Sequence, residues 1–313
     1  MYGKLSVFTG NANPGLVSSI CAHVGVPLGH AEVFEFTNEN LFVKIDDTVR
    51  EQDVFVVQPF SRPVNRSIME LLIMVDALKR ASAARITAVV PYYAYGRTDK
   101  KDQPRVPITA RLIADMITVA GASRVLTMDL HAGQIQGFFN IPVDELSALN
   151  LFARYFAAKA LEDVVVVAPD LGIAKRARNL AERLSAPLAV IEKRRRENNS
   201  RSEILNVIGD VRNRRVIIFD DEVDTGGSLV NAARALKDLG AAEVYAAFTH
   251  AVFSGPAYER IAASPIRELV FTDTIPIAPE NKQDKMTILS VAPLFAEAIQ
   301  RIHGGGSVGA LFR

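Results

Sequence analysis

The sequence predicts an α/β protein with two tandem, mainly parallel sheets flanked by helices. Apolar strand-like runs alternate with amphipathic helical runs along most of the chain, and such alternation is typical of parallel sheets covered by helices on both faces. The length of 313 residues favours two domains over one. Six strands stand out, at residues 54–58, 86–90, 125–129, 164–168, 216–220 and 244–248.

Two stretches of the chain repeat one pattern. Residues 53–90 read strand, polar loop, helix ending A-L-K-R-A-S-A-A-R, and strand, whereas residues 215–248 read strand, polar loop, helix ending A-L-K-D-L-G-A-A-E, and strand. The repetition predicts a duplicated α/β unit. We therefore expect an N-terminal domain at 1–147 and a C-terminal domain at 148–313. The amphipathic helix predicted at 293–303 does not reveal which domain it packs on, and the N-terminal domain is one of the two choices.

Composition and charge narrow the class of protein. The formal net charge is +1, so no global field attracts nucleic acid or an acidic membrane, and anion binding has to come from local clusters. Cys21 is the single cysteine, which excludes an internal disulfide framework and a cysteine-based metal cluster. The chain has no uninterrupted run of about 18 apolar residues. We expect a soluble, cytoplasmic protein without a nucleic-acid or membrane partner.

Polar residues that directly follow a strand are candidates for ligand binding, because ligands gather at the carboxyl ends of strands in doubly wound sheets. The first such place is the loop 96–105, G-R-T-D-K-K-D-Q-P-R, which carries Arg97, Lys100, Lys101 and Arg105. Arginine forks match phosphate oxygens, so the loop suits a nucleotide polyphosphate. An ordinary charged loop explains the same pattern.

Two further places follow strands. His131 comes after the strand at 125–129, where it is either a structural histidine or a metal ligand or phosphate donor. The segment 170–178, D-L-G-I-A-K-R-A-R, opens a helix and offers loop amides together with Lys175 and Arg176 to a second phosphate group. A solvated basic start of a helix is the alternative for this segment.

A charge run, E-K-R-R-R-E-N-N-S-R, occupies residues 192–201 between two apolar segments. Charge runs are usually solvated faces. Because the other candidate sites all suit anions, we also consider a mobile basic loop that closes over a phosphoryl group and stabilises the charge that develops during transfer.

The most informative stretch is V-I-I-F-D-D-E-V-D-T-G-G-S at residues 216–228. A helical pattern follows at 229–239, so the loop amides lie at a helix N-terminus, where unpaired N–H groups and the helix dipole favour an anion. Two glycines allow the backbone to approach a phosphate closely. The predicted phosphate loop consists of Asp224, Thr225, Gly226, Gly227 and Ser228.

Carboxylates in the same stretch need a different partner, because they repel phosphate. Asp220, Asp221 and Asp224 suit sugar hydroxyls or a divalent cation. Phosphate on amides and hydroxyls on carboxylates together predict a phosphorylated pentose, although a strand-to-helix turn with an Asp cap is the simpler alternative. The loop 59–65 in the first copy lacks both the acidic pair and T-G-G, so we expect that half to have lost the sugar-phosphate site.

The stretch resembles the phosphoribosyl diphosphate binding motif. Taken together, the chain resembles the ribose-phosphate diphosphokinase (phosphoribosyl diphosphate synthetase) family from end to end, through F-T-G-N-A-N-P, P-V-N-R-S-I-M-E-L-L-I-M-V-D-A-L, R-I-T-A-V-V-P-Y-Y-A-Y-G-R, M-D-L-H-A-G-Q-I-Q-G-F-F-N-I-P-V-D, D-D-E-V-D-T-G-G-S and F-S-G-P-A. The resemblance implies two tandem phosphoribosyltransferase-like (Rossmann-like) domains, of which only the second carries the sugar-phosphate loop.

The activity implied by the resemblance is transfer of the diphosphate of Mg-ATP to the anomeric hydroxyl of ribose 5-phosphate. The products are phosphoribosyl diphosphate, used in nucleotide biosynthesis, and AMP. The resemblance also implies Mg²⁺ as cofactor and a cytoplasmic homo-oligomer, a hexamer built from dimers.

The resemblance further implies roles for individual residues. Catalytic residues would be Lys193 and Arg195. Metal neighbours would be His131 and Asp170. ATP would be bound by Phe36, Asn38, Asn40, Arg97, Lys100 and His131. The loop that holds the diphosphate would include Asp170, Gly172, Lys175 and Arg176. Ribose 5-phosphate would be bound by Asp220, Asp221, Asp224, Thr225, Gly226, Gly227 and Ser228.

The chain departs from the family pattern at a few of these positions. Asn38 and Asn40 stand where the family usually has carboxylates. This difference bears on which nucleotide binds and on its affinity. Thr98 replaces a usual glutamine, and Ile173 stands where a second glycine is common. Two alternatives therefore stay open: a phosphoribosyltransferase that consumes phosphoribosyl diphosphate, and a catalytically weak regulatory homologue of the synthetase.

Overall fold

The structure is a computed structural model in which residues 3–195 and 202–312 are described. Strands and helices alternate along the first half of the chain. Its elements are β1 (Leu5–Thr9), α1 (Pro14–Val24), β2 (Ala31–Glu35), β3 (Leu41–Ile45), β4 (Asp53–Val57), α2 (Val64–Arg80), β5 (Arg85–Val90), α3 (Thr109–Ala120), β6 (Arg124–Met128) and β7 (Val143–Leu146).

The second half of the chain repeats this alternation and ends in a further helix. Its elements are α4 (Leu149–Lys159), β8 (Val164–Ala168), α5 (Ala174–Arg183), β9 (Leu188–Arg195), β10 (Ser202–Ile208), β11 (Arg215–Val223), α6 (Gly227–Asp238), β12 (Glu243–Ala251), α7 (Ala257–Ala262), β13 (Ile266–Thr272), β14 (Met286–Leu289) and α8 (Ala292–Gly304). No helix in these described ranges is both long enough and apolar enough to cross a membrane.

Both main sheets are built on parallel strands, as predicted. The first has the order β1-β4-β5-β6-β7, with every neighbouring pair parallel. The second has the order β10-β9-β8-β11-β12-β13-β14, in which only the β9–β10 pair is antiparallel. Runs such as V-V-V-V-A in β8 and D-V-F-V-V in β4 are buried almost throughout, which parallel strands covered on both faces require.

The order of elements confirms the predicted duplication. Each half runs strand, helix, β-hairpin, strand, helix, strand, helix, strand and a final short strand. The first sheet therefore corresponds to the five strands β8-β11-β12-β13-β14 of the second. Hairpin β2–β3 of the first half forms a separate two-stranded sheet, whereas its counterpart β9–β10 joins the edge of the second sheet through β8. The hairpins were not predicted as strands.

The chain divides into two compact units. The first comprises residues 1–147, 274–276 and 290–313, and the second comprises residues 148–273 and 277–289. Helix α8 thus belongs to the first unit, where it packs against α1. It ends at Gly304 and is followed by Gly305, which takes the left-handed conformation (φ 74°) common after helices.

The buried carboxylate of Asp53 links α8 to the sheet of the first unit. Asp53 is fully buried, and its Oδ1 accepts a hydrogen bond of 2.7 Å from Arg85 Nε. Arg85 Nη2 also donates to the carbonyl oxygen of Ile302 at 2.9 Å, and His303 Nδ1 lies 2.8 Å from Asp53 Oδ2. Residues from β4, β5 and α8 therefore meet at one ion-pair cluster.

Replacing Asp53 by alanine is expected to lower the free energy of unfolding by about 3–5 kcal/mol, because removal of one partner leaves the other charge of a buried pair uncompensated. Urea unfolding of the purified protein measures the loss. Asp76→Ala is the matched control, since its pair with Arg80 is exposed on α2 and exposed ion pairs contribute little to stability. Equal losses in the two variants would contradict this interpretation.

Candidate active site

The acidic residues of the second unit meet at one edge of its sheet. Asp170 follows β8, Asp220 and Asp221 lie in the last part of β11, and Asp224 follows β11 directly. Because β8 and β11 are neighbouring parallel strands, their carboxyl ends lie side by side. The structure therefore gathers the carboxylates that the sequence predicted for this unit.

Strand β11 is longer than predicted. It continues through the acidic pair to Val223, because Asp220 is still in register with Phe248 of β12. Asp221 is buried, whereas Asp220 is partly exposed and accepts a hydrogen bond of 2.9 Å from the Asp221 backbone N–H. The two carboxylates are thus held by a strand rather than by a loop.

Like charges crowd this edge of the sheet. Although Asp220 is partly exposed, the loss of water around its carboxyl group raises its pKa well above the usual value for an aspartate, and the neighbouring carboxylates of Asp221 and Asp170 raise it further. Hydroxyl donors or a cation would relieve this repulsion. The edge is therefore suited to bind a polyol or a cation rather than a bare anion.

The predicted phosphate loop adjoins the acidic pair. Helix α6 begins at Gly227, two residues earlier than predicted, so Gly227 and Ser228 are its first residues. The N-cap residue is Gly226, which has no side chain that could cap the helix and takes the left-handed conformation (φ 70°) that glycine favours. The first backbone amides of α6 therefore resemble those of helix N-termini that bind phosphate.

The loop after β12 contacts the phosphate loop and was not predicted to belong to the site. Ser254 donates a hydrogen bond from Oγ to Asp224 Oδ1, and Arg260 Nη1 donates to the carbonyl oxygen of Thr225 at 3.1 Å. Phe253 packs against the rings of Phe248 and Phe271, which supports this turn. The F-S-G-P-A stretch signalled Ser254 without a role, and nothing in the sequence signalled Arg260.

The loop after β8 is arranged differently from the expectation. Asp170 Oδ1 accepts hydrogen bonds from the backbone N–H groups of Gly172 at 2.9 Å and Ile173 at 3.4 Å. These amides, which we expected to be open to a phosphate, therefore already bond a carboxylate. Ile173 is buried, so packing in the core explains an isoleucine at this position. Lys175 and Arg176 lie in the first turn of α5, and Lys175 is exposed.

In the first unit, the predicted basic loop follows β5. Arg97 and Lys100 are exposed, whereas Asp99 between them is buried and accepts a hydrogen bond of 2.5 Å from Gln134 Nε2. Gln134 belongs to the short 3-10 helix Gly133–Phe138 that follows His131. The basic loop and the histidine segment are therefore joined by a bond between residues far apart in the sequence.

The exposed side chain of His131 follows β6 on a fixed backbone. The Leu130 backbone N–H donates to Glu145 Oε1 at 2.9 Å, and Gln136 Nε2 donates to Glu145 Oε2 at 2.5 Å. Asp129, just before, has a positive φ of 40° and donates its N–H to the carbonyl oxygen of Leu146. Strand β7 thus holds the histidine segment in place.

Residues 36–40 form the turn of the β2–β3 hairpin. Phe36 is 48% exposed and its ring meets those of Phe34 and Phe42, with centroids 5.0 and 5.8 Å apart. Asn38 Oδ1 accepts a hydrogen bond of 3.2 Å from the Asn40 backbone N–H. The turn therefore presents an aromatic cluster, and one of the two unusual amides stabilises the turn itself.

The predicted catalytic pair, Lys193 and Arg195, lies on β9. The strand includes both backbones, and Lys193 is in register with Ile204 of β10. Their side chains and the residues 196–201 of the predicted loop lie outside the described part of the chain. Among the described residues, no group of three or more His, Cys, Asp or Glu side chains is placed to hold a metal ion. His131 and Asp170 belong to different units.

Comparisons with known proteins agree on a single family. A family model described as the N-terminal domain of ribose phosphate pyrophosphokinase matches residues 5–121, and one described as the phosphoribosyl synthetase-associated domain matches residues 198–313. A ribose-phosphate pyrophosphokinase of Caldanaerobacter subterraneus subsp. tengcongensis is 57% identical over 310 residues, which cover 99% of this chain and 98% of that protein. The protein of the same name from Clostridium perfringens is 54% identical, with coverage of 99% and 98%.

A solved structure agrees with these sequence relatives. The crystal structure of phosphoribosylpyrophosphate synthetase from Mycobacterium smegmatis is 41% identical and superimposes with a TM-score of 0.92. The match covers 97% of this chain and 100% of that one. The similarity therefore extends over both units.

Proposed function

This chain belongs to the ribose-phosphate pyrophosphokinase family. We propose that it binds ATP and ribose 5-phosphate, and we assign a role in the diphosphate transfer to individual residues. The enzyme is a diphosphotransferase of nucleotide biosynthesis that makes phosphoribosyl diphosphate, with AMP as the second product. One observation supports the assignment of the substrate site: an acidic pair in the last part of β11 lies a few residues before the N-terminus of α6, where the N-cap residue is a glycine.

The sugar phosphate is proposed to bind entirely within the second unit. The amides at the start of α6 would hold the 5-phosphate, and Thr225 and Ser228 are exposed there with hydroxyl donors. Asp220 and Asp221 would accept hydrogen bonds from the ribose hydroxyls, which relieves the repulsion between the two carboxylates.

Mg²⁺ is the proposed cofactor. It prefers oxygen ligands, keeps several waters and usually takes one or two carboxylates together with substrate phosphates, so a cluster of three protein ligands is not needed. Asp170 fits this requirement because its carboxylate stands close enough to affect Asp220. The imidazole of His131 fits Mg²⁺ less well, so we assign it to the phosphates of ATP. When bound, the ion would neutralise phosphate charge.

The remaining roles concern the diphosphate. Arg97, Lys100 and His131 are exposed on the first unit and would contact the phosphates of ATP. Lys175 and Arg176, in the first turn of α5, would hold the diphosphate being moved. Lys193 and Arg195 would stabilise the charge that develops at the β-phosphorus. No strong general base is assigned, so the rate depends on alignment and charge neutralisation.

The Gln134–Asp99 bond makes a prediction for the nucleotide half of the site. Gln134→Leu leaves the buried Asp99 carboxylate without this donor, so the basic loop should lose its position beside His131. We expect the KM for ATP to rise about tenfold, since a hydrogen bond to a charged group is worth about 1.5–3 kcal/mol and 1.4 kcal/mol is tenfold. Steady-state kinetics with each substrate varied in turn measures this. An equal rise in the KM for ribose 5-phosphate would contradict a role confined to the nucleotide.

The proposed reaction is tested with purified protein, ribose 5-phosphate, ATP and Mg²⁺. AMP should form only when the pentose phosphate is present, and phosphoribosyl diphosphate should appear in equal amount. AMP formation without the pentose would indicate a hydrolase. No AMP with ATP or another nucleoside triphosphate would favour the regulatory homologue, which the full-length similarity to named enzymes does not support.

We also propose a homo-oligomer, a hexamer built from dimers, in the cytoplasm. The aromatic cluster of Phe34, Phe36 and Phe42 on hairpin β2–β3 supports assembly, because two of its rings are more than 40% exposed. The free, buried thiol of Cys21 is compatible with a reducing compartment. Light scattering that gives the mass of a stable monomer would contradict the assembly.

A further inference from the structure

Phe253 and Ser254, which follow β12, form hydrogen bonds with the end of β11 and with the phosphate loop. Phe253 donates its backbone N–H to the carbonyl oxygen of Val223 at 3.1 Å, and Ser254 donates its N–H to the carbonyl oxygen of Asp224 at 3.1 Å. The Ser254 hydroxyl bonds the Asp224 carboxylate. The segment therefore acts on the position of the loop that precedes α6.

Arg260 extends this contact to the middle of the loop. Its Nη1 lies 3.1 Å from the Thr225 carbonyl oxygen, and a Cβ added at Gly227 would lie 3.4 Å from the same nitrogen. The guanidinium thus lies beside both the loop and the first residue of α6. Arginine stays charged at any physiological pH, so a permanent cation stands next to the amides that face a phosphate.

Phosphate binding by this loop depends on the direction in which the Thr225 carbonyl points. A loop that binds phosphate through N–H groups must turn its carbonyl oxygens away, because a carbonyl oxygen repels the anion. Gly226, with φ 70°, permits the turn between Thr225 and α6. A hydrogen bond from Arg260 to the Thr225 carbonyl stabilises that turned conformation.

We infer that Arg260 is a positioning residue for the 5-phosphate of the pentose, acting through the Thr225 carbonyl and through its charge. Ser254 performs the corresponding task at Asp224. The inference rests on the proposed function, because it takes the loop to be the 5-phosphate site. Arg260 is exposed, so a merely structural role predicts a small effect on stability and none on one substrate in particular.

The test compares Arg260→Gln with Arg234→Gln, which changes an exposed arginine further along α6 in the same unit. For Arg260→Gln we expect a KM for ribose 5-phosphate that is raised about tenfold or more, with the KM for ATP within about twofold of the wild type. The melting temperature should not change. Calorimetric titration with ribose 5-phosphate alone should give the same loss of affinity.

The outcomes separate this inference from the proposed function. If the wild type forms no AMP, the proposed function fails. If the wild type is active and Arg260→Gln keeps its KM for ribose 5-phosphate, the inference is wrong and the function stands. A fall in melting temperature with equal changes in both KM values would also overturn it, because that pattern indicates a structural role.

Discussion

Replacing Asp220 by asparagine is expected to remove most of the activity while raising the melting temperature at pH 8. Burial, together with Asp221 and Asp170, raises the pKa of the Asp220 carboxyl in the folded protein. A carboxyl with a raised folded pKa contributes stability below its unfolded pKa, and the contribution is lost as pH rises through the folded pKa. Above that pH the ionised group opposes folding, and asparagine removes this cost.

The activity is expected to fall for the same chemical reason that stability rises. Asparagine has one acceptor oxygen and no charge, so hydrogen bonds from the ribose hydroxyls weaken. We expect kcat/KM for ribose 5-phosphate to fall about 10²-fold, since hydrogen bonds to charged groups contribute about 1.5–3 kcal/mol each.

Thermal unfolding between pH 4 and pH 8, without divalent cations, measures the stability part. The difference in melting temperature should shrink as the pH falls, because the destabilisation caused by the raised pKa of Asp220 is lost as the pH approaches the pKa of the unfolded state. Asp238→Asn is the control, because Asp238 is an exposed carboxylate at the end of α6. A variant that melts below the wild type at pH 8 would show that the Asp220 charge does not oppose folding.

Replacing Lys193 by alanine is expected to lower kcat by about 10²–10³-fold, the effect of losing one electrostatic donor to a transition state. Binding of ATP should persist, because Arg97, Lys100 and His131 are the residues proposed to contact its phosphates. Single-turnover kinetics measures the transfer step, and equilibrium dialysis with ATP measures binding. Near-normal turnover would remove the β9 residues from the mechanism.

Arg194→Ala is the matched control for this experiment. Arg194 lies between Lys193 and Arg195 in the sequence, and no role in the transfer is proposed for it. It carries the same charge as Arg195 and differs only in position. We expect its kcat to stay close to that of the wild type.

The fold was largely predictable because parallel strands leave a strong pattern. Runs such as those at β4, β5 and β8 are mostly apolar, and the observed bounds lie within a few residues of the predicted ones. Hairpin β9–β10 gave a weaker pattern, because a charge run separates its two short apolar segments. Strand β11 extends to Val223 because pairing with β12 overrides the local polarity of the acidic pair.

The site was predictable only where its residues are close in sequence. The acidic pair and the phosphate loop lie within one stretch, so their spacing predicted a common task. The bond between Ser254 and Asp224 joins residues 30 apart, and that between Arg260 and Thr225 joins residues 35 apart. Such contacts depend on how α7 packs beside the loop, and no local pattern reports that.

The cluster of Asp53, Arg85 and His303 has a consequence for the order of synthesis. Helix α8 is part of the first unit, yet it leaves the ribosome after the entire second unit. The second unit can therefore mature first, although it is encoded later. Until α8 arrives, α1 lacks its packing partner and Asp53 lacks the imidazole of His303. A nascent chain would thus carry an incomplete first unit and a complete second unit.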